Sequence, residues 1–211
     1  MSEARSQITS EKLSRRQYKH NLVFMKERFL KLMHDAIVAK MHYQVYDVLT
    51  NDVDRPNFVD TMNEYGGFWS SSISAHFVAM VMAISKIYDK KYFSLVHLLE
   101  GLQKERLLNS ENASILREEV DIIQASLKKV TILRGNFVAH LTEKLSPTEV
   151  FKLAAISRNE LRRLIDDSFR LLNQIRESLG EPDIVVADNA EEDTRLILSR
   201  LREIRHLTSN I

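Results

Sequence analysis

The chain has 211 residues, which suits one domain, or one domain with an appendage. It contains only five glycines and three prolines, too few for the tight turns of a β-rich fold, so long helices are expected. The absence of cysteine excludes disulfides, thiolate metal sites and cysteine nucleophiles. The 30 basic side chains barely exceed the 29 acidic ones, so any contact with nucleic acid must be local. The polar N-terminus and the lack of an apolar run of about 18 residues predict a cytoplasmic protein without a membrane span.

The first half of the chain predicts two long helices. Apolar residues recur every three or four positions over about residues 10–49, as on one face of an amphipathic helix. The polar stretch 51–56 ends this helix, because Asn and Asp favour turns and proline cannot continue a helical ladder. A loop with the Gly66-Gly67 pair follows. A central helix over 68–88 carries few charges, which indicates burial on most sides.

A shorter helix and a long one are predicted next. The shorter helix covers roughly residues 94–107. The Asn and Ser residues at 109–112 provide caps for the helix after it, because their side-chain oxygens can accept from free backbone N–H groups. That helix is expected to run from about residue 113 to the neighbourhood of His140.

The last third predicts two more helices. The stretch Ser146-Pro-Thr-Glu149 has the form of a capping box with proline at the first helical position, so a helix begins there. It is expected to continue until Gly180. A final helix covers about 189–207. The prediction is an all-α bundle over residues 1–182, followed by a linker and helical arm over 183–211.

Several classes of site lack support in this sequence. There is no glycine-rich phosphate loop and no G-x-S-x-G turn, as nucleotide hydrolases and α/β-hydrolases require. None of the seven histidines is spaced three or four residues from another, as helical metal ligands are. Acidic clusters at 51–54, 118–121 and 190–193 are better explained by a turn and by helix starts. We expect no metal and no cofactor.

One motif combines an arginine and a histidine in an apolar setting: Arg134-Gly-Asn-Phe-Val-Ala-His140. An apolar run at 130–133 precedes it, and most residues between the arginine and the histidine are small or apolar. Two polar side chains in such an apolar setting indicate a specific role for the pair. The bare spacing alone is weak, because it also occurs on charged amphipathic stretches that are typical of solvated helix faces: Arg15 with His20, Arg28 with His34, and Arg200 with His206.

This motif and its surroundings resemble the abortive-infection U-type branch of the HEPN superfamily, over roughly residues 15–180. The resemblance rests on the motif at the end of a long helix, a short polar connection, a capped helix after it, and a preceding helix that ends at Asp89. It implies an up-and-down helical bundle that cleaves or binds RNA. Two positions depart from the pattern. Gly135 replaces the polar residue common after the arginine, and Thr142 stands where some HEPN toxins carry a tyrosine modified by a partner nucleotidyltransferase.

The resemblance also implies a mechanism and partners. HEPN ribonucleases cut RNA without metal through attack of the ribose 2′-OH, at a site shared by two protomers. Arg134 would stabilise the charged phosphorane and His140 would transfer protons. Asn136 would orient either group. Asp89 would support Arg134 through an ion pair, although an acid that simply ends a helix is the commoner explanation for this residue. The implied partners are an RNA substrate, a second copy of the chain, and an antitoxin or nucleotidyltransferase.

Other interpretations stay open. Arg134 and His140 can be a buried pair satisfied by neighbouring groups. The chain can also be a HEPN-like domain that binds RNA or protein without cutting, or a dimeric helical scaffold with the last helix as its arm. Weaker candidates for RNA contact are Arg162, Arg163 and Lys128. Trp69 with Phe68 and Tyr65 can form a platform for base stacking, but aromatic residues at a helix start are usually part of the core. Core or interface positions are likewise the simpler explanation for His76 and His97.

Overall fold

The computed structural model describes residues 2–89, 91, 93–135, 152–184 and 189–208, and for residues 2–20 it describes the helical backbone alone. Every regular element of these residues is a helix, which confirms the all-α bundle predicted from the sequence. The elements in chain order are α1 (Ser2–Thr50), α2 (Arg55–Glu64), α3 (Gly66–Tyr88), α4 (Leu95–Lys104), α5 (Ser110–Ile122), α6 (Gln124–Leu133), α7 (Arg158–Ser178) and α8 (Ala190–Thr208).

Helix α1 is the spine of the bundle. Helices α3, α4, α7 and α8 all pack against it, and α3 makes the most extensive contact. Asp35 lies beside Lys86 and His42 beside His76, so residue numbers rise along α1 as they fall along α3. The two helices are therefore antiparallel.

The main core fills the space between α1, α3, α4, α5, α6 and α7. Its largest fully buried side chains include Phe29 and Met33 of α1, Ile84 of α3 and Leu98 of α4. Burial of one such side chain contributes about 1.5–3 kcal/mol to stability. The apolar faces of α1, α4 and α7 thus pack into one common core, as their sequence periodicity predicted.

A second, smaller core joins the end of α1 to α2, the start of α3 and α8. Leu198 of α8 is fully buried in it, and the Arg195 guanidinium donates two hydrogen bonds to the Asp54 carboxylate, at 2.8 and 2.9 Å. The helical arm predicted from the sequence is therefore packed against α1 and α2. A cavity of about 550 Å³, here called the apolar cavity, lies between α1, α3 and α8 and is lined by Val45, Tyr65, Phe68, Trp69, Ser72, His76, Ala190, Asp193, Thr194, Ile197 and Leu201.

Two boundaries follow the local chemistry expected of them. Asn109 caps α5, since its side chain accepts from the Asn112 backbone N–H at 2.7 Å. Gly180 ends α7 with φ at +63°, a conformation that only glycine adopts without strain. The backbone N–H of Glu181 then donates to the Arg176 carbonyl at 3.1 Å, which closes the terminal turn.

The loop predicted between the first two long helices is wrong in part. It contains α2, in which proline occupies the first turn and so starts a helix instead of ending one. Gly66 and Gly67 form the first turn of α3, and no loop separates them from it. The burial expected for α3 holds for its C-terminal half, whereas Phe68 is 64% exposed near its start.

Two predicted continuous helices are interrupted. The helix expected from residue 113 breaks at Ile123, which separates α5 from α6. The helix expected to run through to Gly180 is broken at Ala155, where φ is +47°. A capping box then starts α7: the Glu160 N–H donates to the Ser157 hydroxyl, and the Ser157 N–H donates to the Glu160 carboxylate at 2.8 Å. The predicted start at Ser146 lies outside the described residues.

By length and composition alone, α3 is apolar enough to cross a bilayer, with a mean hydropathy of 1.4 over its best 18-residue window. Core helices of soluble proteins pass the same test, and the second half of α3 lies in the main core. The expectations of a cytoplasmic location and of no membrane contact stay predictions, as does the division at residue 182.

Candidate functional site

Arg134 follows the last residue of α6 and points toward the end of α3. Its guanidinium Nη1 donates to the Asp89 carboxylate at 2.6 Å. Asp89 is the residue after α3, and its other carboxylate oxygen accepts from the Lys91 backbone N–H at 3.0 Å. The Lys91 N–H and then the Arg134 guanidinium hold the pKa of Asp89 below its usual range. Asp89 is thus a fixed negative group that orients Arg134, a contact that the sequence interpretation had placed second to a simple helix-terminal acid.

The Asp89 bond uses only part of the Arg134 guanidinium. The Arg134 side chain is 30% exposed, and among the described residues Asp89 is its one hydrogen-bonding partner. A guanidinium carries five N–H donors in a planar fork. Within the described residues the remaining donors of Arg134 have no partner, and such a fork can bind a planar or tetrahedral anion in two-point fashion.

Arg134 forms part of the wall of a cavity of about 650 Å³, here called the basic cavity. Among the residues that the structure describes, five cationic side chains and two carboxylates line it. Its lining comes from α1, from the end of α3, from the stretch after α3 and from α6: Arg28, Lys31, Leu32, Asp35, Met82, Ser85, Lys86, Asp89, Lys91, Phe93 and Arg134.

The carboxylates of the basic cavity are already engaged. Asp89 binds Arg134, and Asp35 lies 3.8 Å from the Lys86 ammonium. The other three cations, Arg28, Lys31 and Lys91, form no ion pair with any described residue. The described lining of the cavity therefore carries an excess of three positive charges, in a chain whose net charge is +1.

Arg28 occupies an unusual position for a residue expected on a solvated helix face. It is half-buried, and its guanidinium carbon lies 5.0 Å from the centre of the Phe24 ring and 5.3 Å from that of Phe93. Cation–π attraction holds it there without using its N–H donors. The sequence interpretation of Arg28 is corrected accordingly, while its motif partner His34 is exposed as expected.

A smaller cavity of about 250 Å³ also has Arg134 in its wall, and Lys128 of α6 lines it. Lys128 therefore shares a cavity with Arg134, as a candidate for RNA contact would. Arg162 and Arg163 line neither cavity at Arg134. Arg162 lies on the exposed face of α7, 3.8 Å from Asp166.

Asn136, His140 and Thr142 lie outside the described residues, so the meeting of His140 with Arg134 stays a prediction. Two other histidines that the sequence interpretation singled out, His76 and His97, have structural partners. His42 and His76 share a hydrogen bond of 2.8 Å between their Nδ1 atoms, and burial lowers the pKa of both. His97 accepts from the Ser94 backbone N–H and so helps to cap α4.

The remaining expectations concern stacking and metals. Trp69 is 7% exposed and belongs to the second core, as the simpler interpretation had it. Within the described ranges, no group of three or more histidine and acidic side chains is placed to hold a metal ion. The sequence interpretation missed the basic cavity, because the cations that line it are up to about a hundred residues apart.

Comparison with known proteins gives one result. A family model described as AbiU2, of the HEPN type, matches residues 25–181, which is most of the chain and includes the basic cavity and the whole motif. No curated protein and no solved structure matches the sequence. The chain therefore belongs to the AbiU2 family of HEPN proteins.

Proposed function

We propose that this chain is a metal-independent RNA endonuclease of the HEPN type, acting in phage defence or in a toxin–antitoxin system. The observation that carries the proposal is Arg134, which Asp89 holds at the wall of a cavity with excess positive charge. Family membership supports an abortive-infection role for the fold that presents this arginine. The cell compartment that we expect is the cytoplasm.

In the proposed reaction the ribose 2′-oxygen attacks the adjacent phosphorus, and the bond from phosphorus to the 5′-oxygen breaks. Neutral His140 takes the 2′-OH proton, and the leaving 5′-oxygen receives one from a protonated histidine. The products are a 2′,3′-cyclic phosphate and a 5′-OH. The free donors of Arg134 bind the non-bridging oxygens, where negative charge gathers in the transition state. Asp89 keeps the guanidinium in place, and Asn136 orients the reacting groups.

We propose that two copies of the chain assemble the site, so that each supplies an arginine and a histidine. Acid and base roles then fall to two histidines at one scissile phosphate. Multi-angle light scattering at micromolar concentration should give a mass near 49 kDa, twice the 24.5 kDa of one chain. A mass of one chain would remove the shared site from the proposal.

The direct test is cleavage of single-stranded RNA by purified protein. Wild type should release fragments with cyclic phosphate ends, and His140→Ala should lower the rate by about a hundredfold or more, the scale of a lost general acid or base. His34→Ala is the matched control, since it has the same motif spacing on an exposed face of α1 and should keep wild-type activity. Expression of wild type, and not of His140→Ala, should be toxic to the host.

A second candidate function is RNA binding without cleavage. The residue that favours it is Gly135, which stands where a polar residue is common in the resembling nucleases. The basic cavity would serve this function equally well. Absence of cleavage for every RNA tested, with RNA binding retained, would select this second function.

A further inference from the structure

We propose that the basic cavity is a binding subsite for single-stranded RNA next to the phosphate held by Arg134, with Arg28, Lys31 and Lys91 as its phosphate contacts. The inference rests on the proposed function, because it names how that substrate is held. It adds residues that neither the motif nor the family match assigns. The cavity and Arg134 share one wall, so a chain bound at Arg134 continues directly into the cavity.

The first argument is charge. Several cations of the described residues meet carboxylates across helices, as Lys129 does with Glu160 at 2.6 Å. In the basic cavity, Arg28, Lys31 and Lys91 line one concavity and have no ion-pair partner within the part of the chain that the structure describes. Like charges gathered in one concavity raise the local potential and attract polyanions. The phosphates of a nucleic acid strand supply negative charge at the spacing needed to meet several cations at once.

The second argument is the state of Arg28. Its position against Phe24 and Phe93 orients the guanidinium, and its hydrogen-bond donors have no partner among the described residues. The two rings pack edge to face with centroids 6.2 Å apart, an arrangement that aromatic pairs prefer. A fixed, planar donor set favours two-point recognition of a phosphate over a single-point contact.

The third argument is size and the partly exposed ring of Phe93. About 650 Å³ lies within the range of small-molecule and cofactor pockets, and exceeds the need of a lone phosphate. Phe93 lines the cavity, and an aromatic ring beside phosphate-binding cations is the usual platform for an unpaired base. Stacking on Phe93 requires a base free of its partner strand, so we commit to single-stranded RNA.

The test measures binding separately from cleavage. A labelled oligonucleotide of about twelve nucleotides with 2′-O-methyl groups cannot undergo 2′-OH attack, so its fluorescence anisotropy reports affinity alone. Arg28→Gln combined with Lys31→Gln should weaken binding about tenfold or more. The slope of log affinity against log salt should fall by about 1.4, since each lost contact to a single strand contributes ~0.7. Phe93→Leu should also weaken binding about tenfold or more, because it removes both the stacking ring and one of the two rings that position Arg28.

The matched control is Arg55→Gln. Arg55 is exposed at the start of α2. It lies beyond the C-terminal end of α1, and that end is about 30 Å from Lys31 along the axis of α1. It lines none of the cavities described, and its substitution should leave affinity and salt slope at wild-type values. Should the double variant fold poorly by circular dichroism, Lys91→Gln, in an exposed position, should still weaken binding several-fold.

The outcomes separate this inference from the proposed function. Wild-type affinity in the cavity variants overturns the subsite, even where RNA is cleaved. Weakened binding in those variants supports the subsite, even where wild type cleaves no RNA and the nuclease proposal falls. Competition by polyglutamate or tripolyphosphate as strong as that of RNA at equal charge overturns the commitment to RNA. Failure of those competitors supports it.

Discussion

Two arginine–aspartate pairs, at opposite ends of the antiparallel pair of α1 and α3, look alike by burial and differ in what surrounds them. The Asp89 side chain is 11% exposed and Asp54 is 12% exposed, while their partners Arg134 and Arg195 are partly exposed. Arg195 donates two hydrogen bonds to Asp54 and also contacts the Glu191 carboxylate at 2.6 Å. Arg134 donates one hydrogen bond to a described residue, Asp89.

The charged side chains around each pair explain why we expect different roles for the two arginines. Two carboxylates neutralise Arg195 beside the apolar cavity, where it joins α8 to the turn after α1. Arg134 has one carboxylate and lies among further cations in the basic cavity. An arginine available to a ligand is therefore distinguished by unused donors and uncompensated neighbouring charge, and not by the presence of an ion pair.

The largest expected difference between the two pairs is in catalysis. Arg134→Ala should lower RNA cleavage by about a hundredfold or more, because the phosphorane loses its charged donor. Arg134→Lys should recover little, since an ammonium lacks the planar fork. Arg195→Ala should keep the cleavage rate per folded molecule. Single-turnover rates on one RNA measure all three, and an equal loss in Arg195→Ala would erase the distinction.

Substitution of the two aspartates should have smaller effects than substitution of Arg134. Asp89→Asn should lower cleavage about tenfold, because the amide can accept one bond from Arg134 yet no longer holds it by charge. Asp54→Asn should lower the free energy of unfolding by about 1 kcal/mol without changing cleavage. Urea denaturation and initial cleavage rates, measured on both variants, test these two predictions. Unchanged cleavage in Asp89→Asn would make Asp89 a structural partner only.

Acid should affect the α8 end of the molecule first. Burial lowers the folded-state pKa of His42 and His76 below the ordinary value of 6.5, so the folded protein binds fewer protons than the unfolded chain. Their contribution to stability is present above pH 6.5 and is lost as the pH falls through the lowered values. The free energy of unfolding should therefore drop between pH 7 and 5, and His42→Gln should reduce that drop. His34→Gln, at an exposed position, should leave the drop as it is.

The smallest expected effect is that of chelation, which should be none. The described residues offer no metal-binding group of three or more side chains, and the proposed chemistry uses Arg134 and His140 alone. Cleavage rates in EDTA should equal those in buffer. Loss in EDTA with recovery in magnesium or manganese would shift the chemistry away from His140.

Local patterns predicted much of this fold, because caps and apolar periodicity act over a few residues. Gly180 and Asn109 mark boundaries for that reason. The break at Ile123 has no glycine, proline or capping residue to announce it, and Ile122 is 78% exposed beside it. The start of α7 does have a sequence signal, the capping-box spacing of Ser157 and Glu160. It was missed because the apolar periodicity continues without interruption across this position.

The candidate site also has a part that the sequence could suggest and a part that it could not. The sequence allowed Asp89 to pair with Arg134 but favoured a helix-terminal acid, because nothing local shows which helix ends meet. The basic cavity could not be anticipated, since Arg28 and Lys91 meet only after α1 and α3 pack in antiparallel fashion. Such charge convergence is a property of tertiary structure, and the near-neutral total charge of the chain conceals it.

The length of α1 has a consequence for how this protein moves through solution. A helix of 49 residues extends about 74 Å, whereas a compact globule of this chain length has a radius of gyration near ~17 Å. A molecule built around such a rod has a larger hydrodynamic radius than a sphere of equal mass. One copy should therefore elute from a sizing column ahead of its mass, so retention volume alone would imitate a dimer. Scattered light intensity depends on mass and not on friction, and it distinguishes the two.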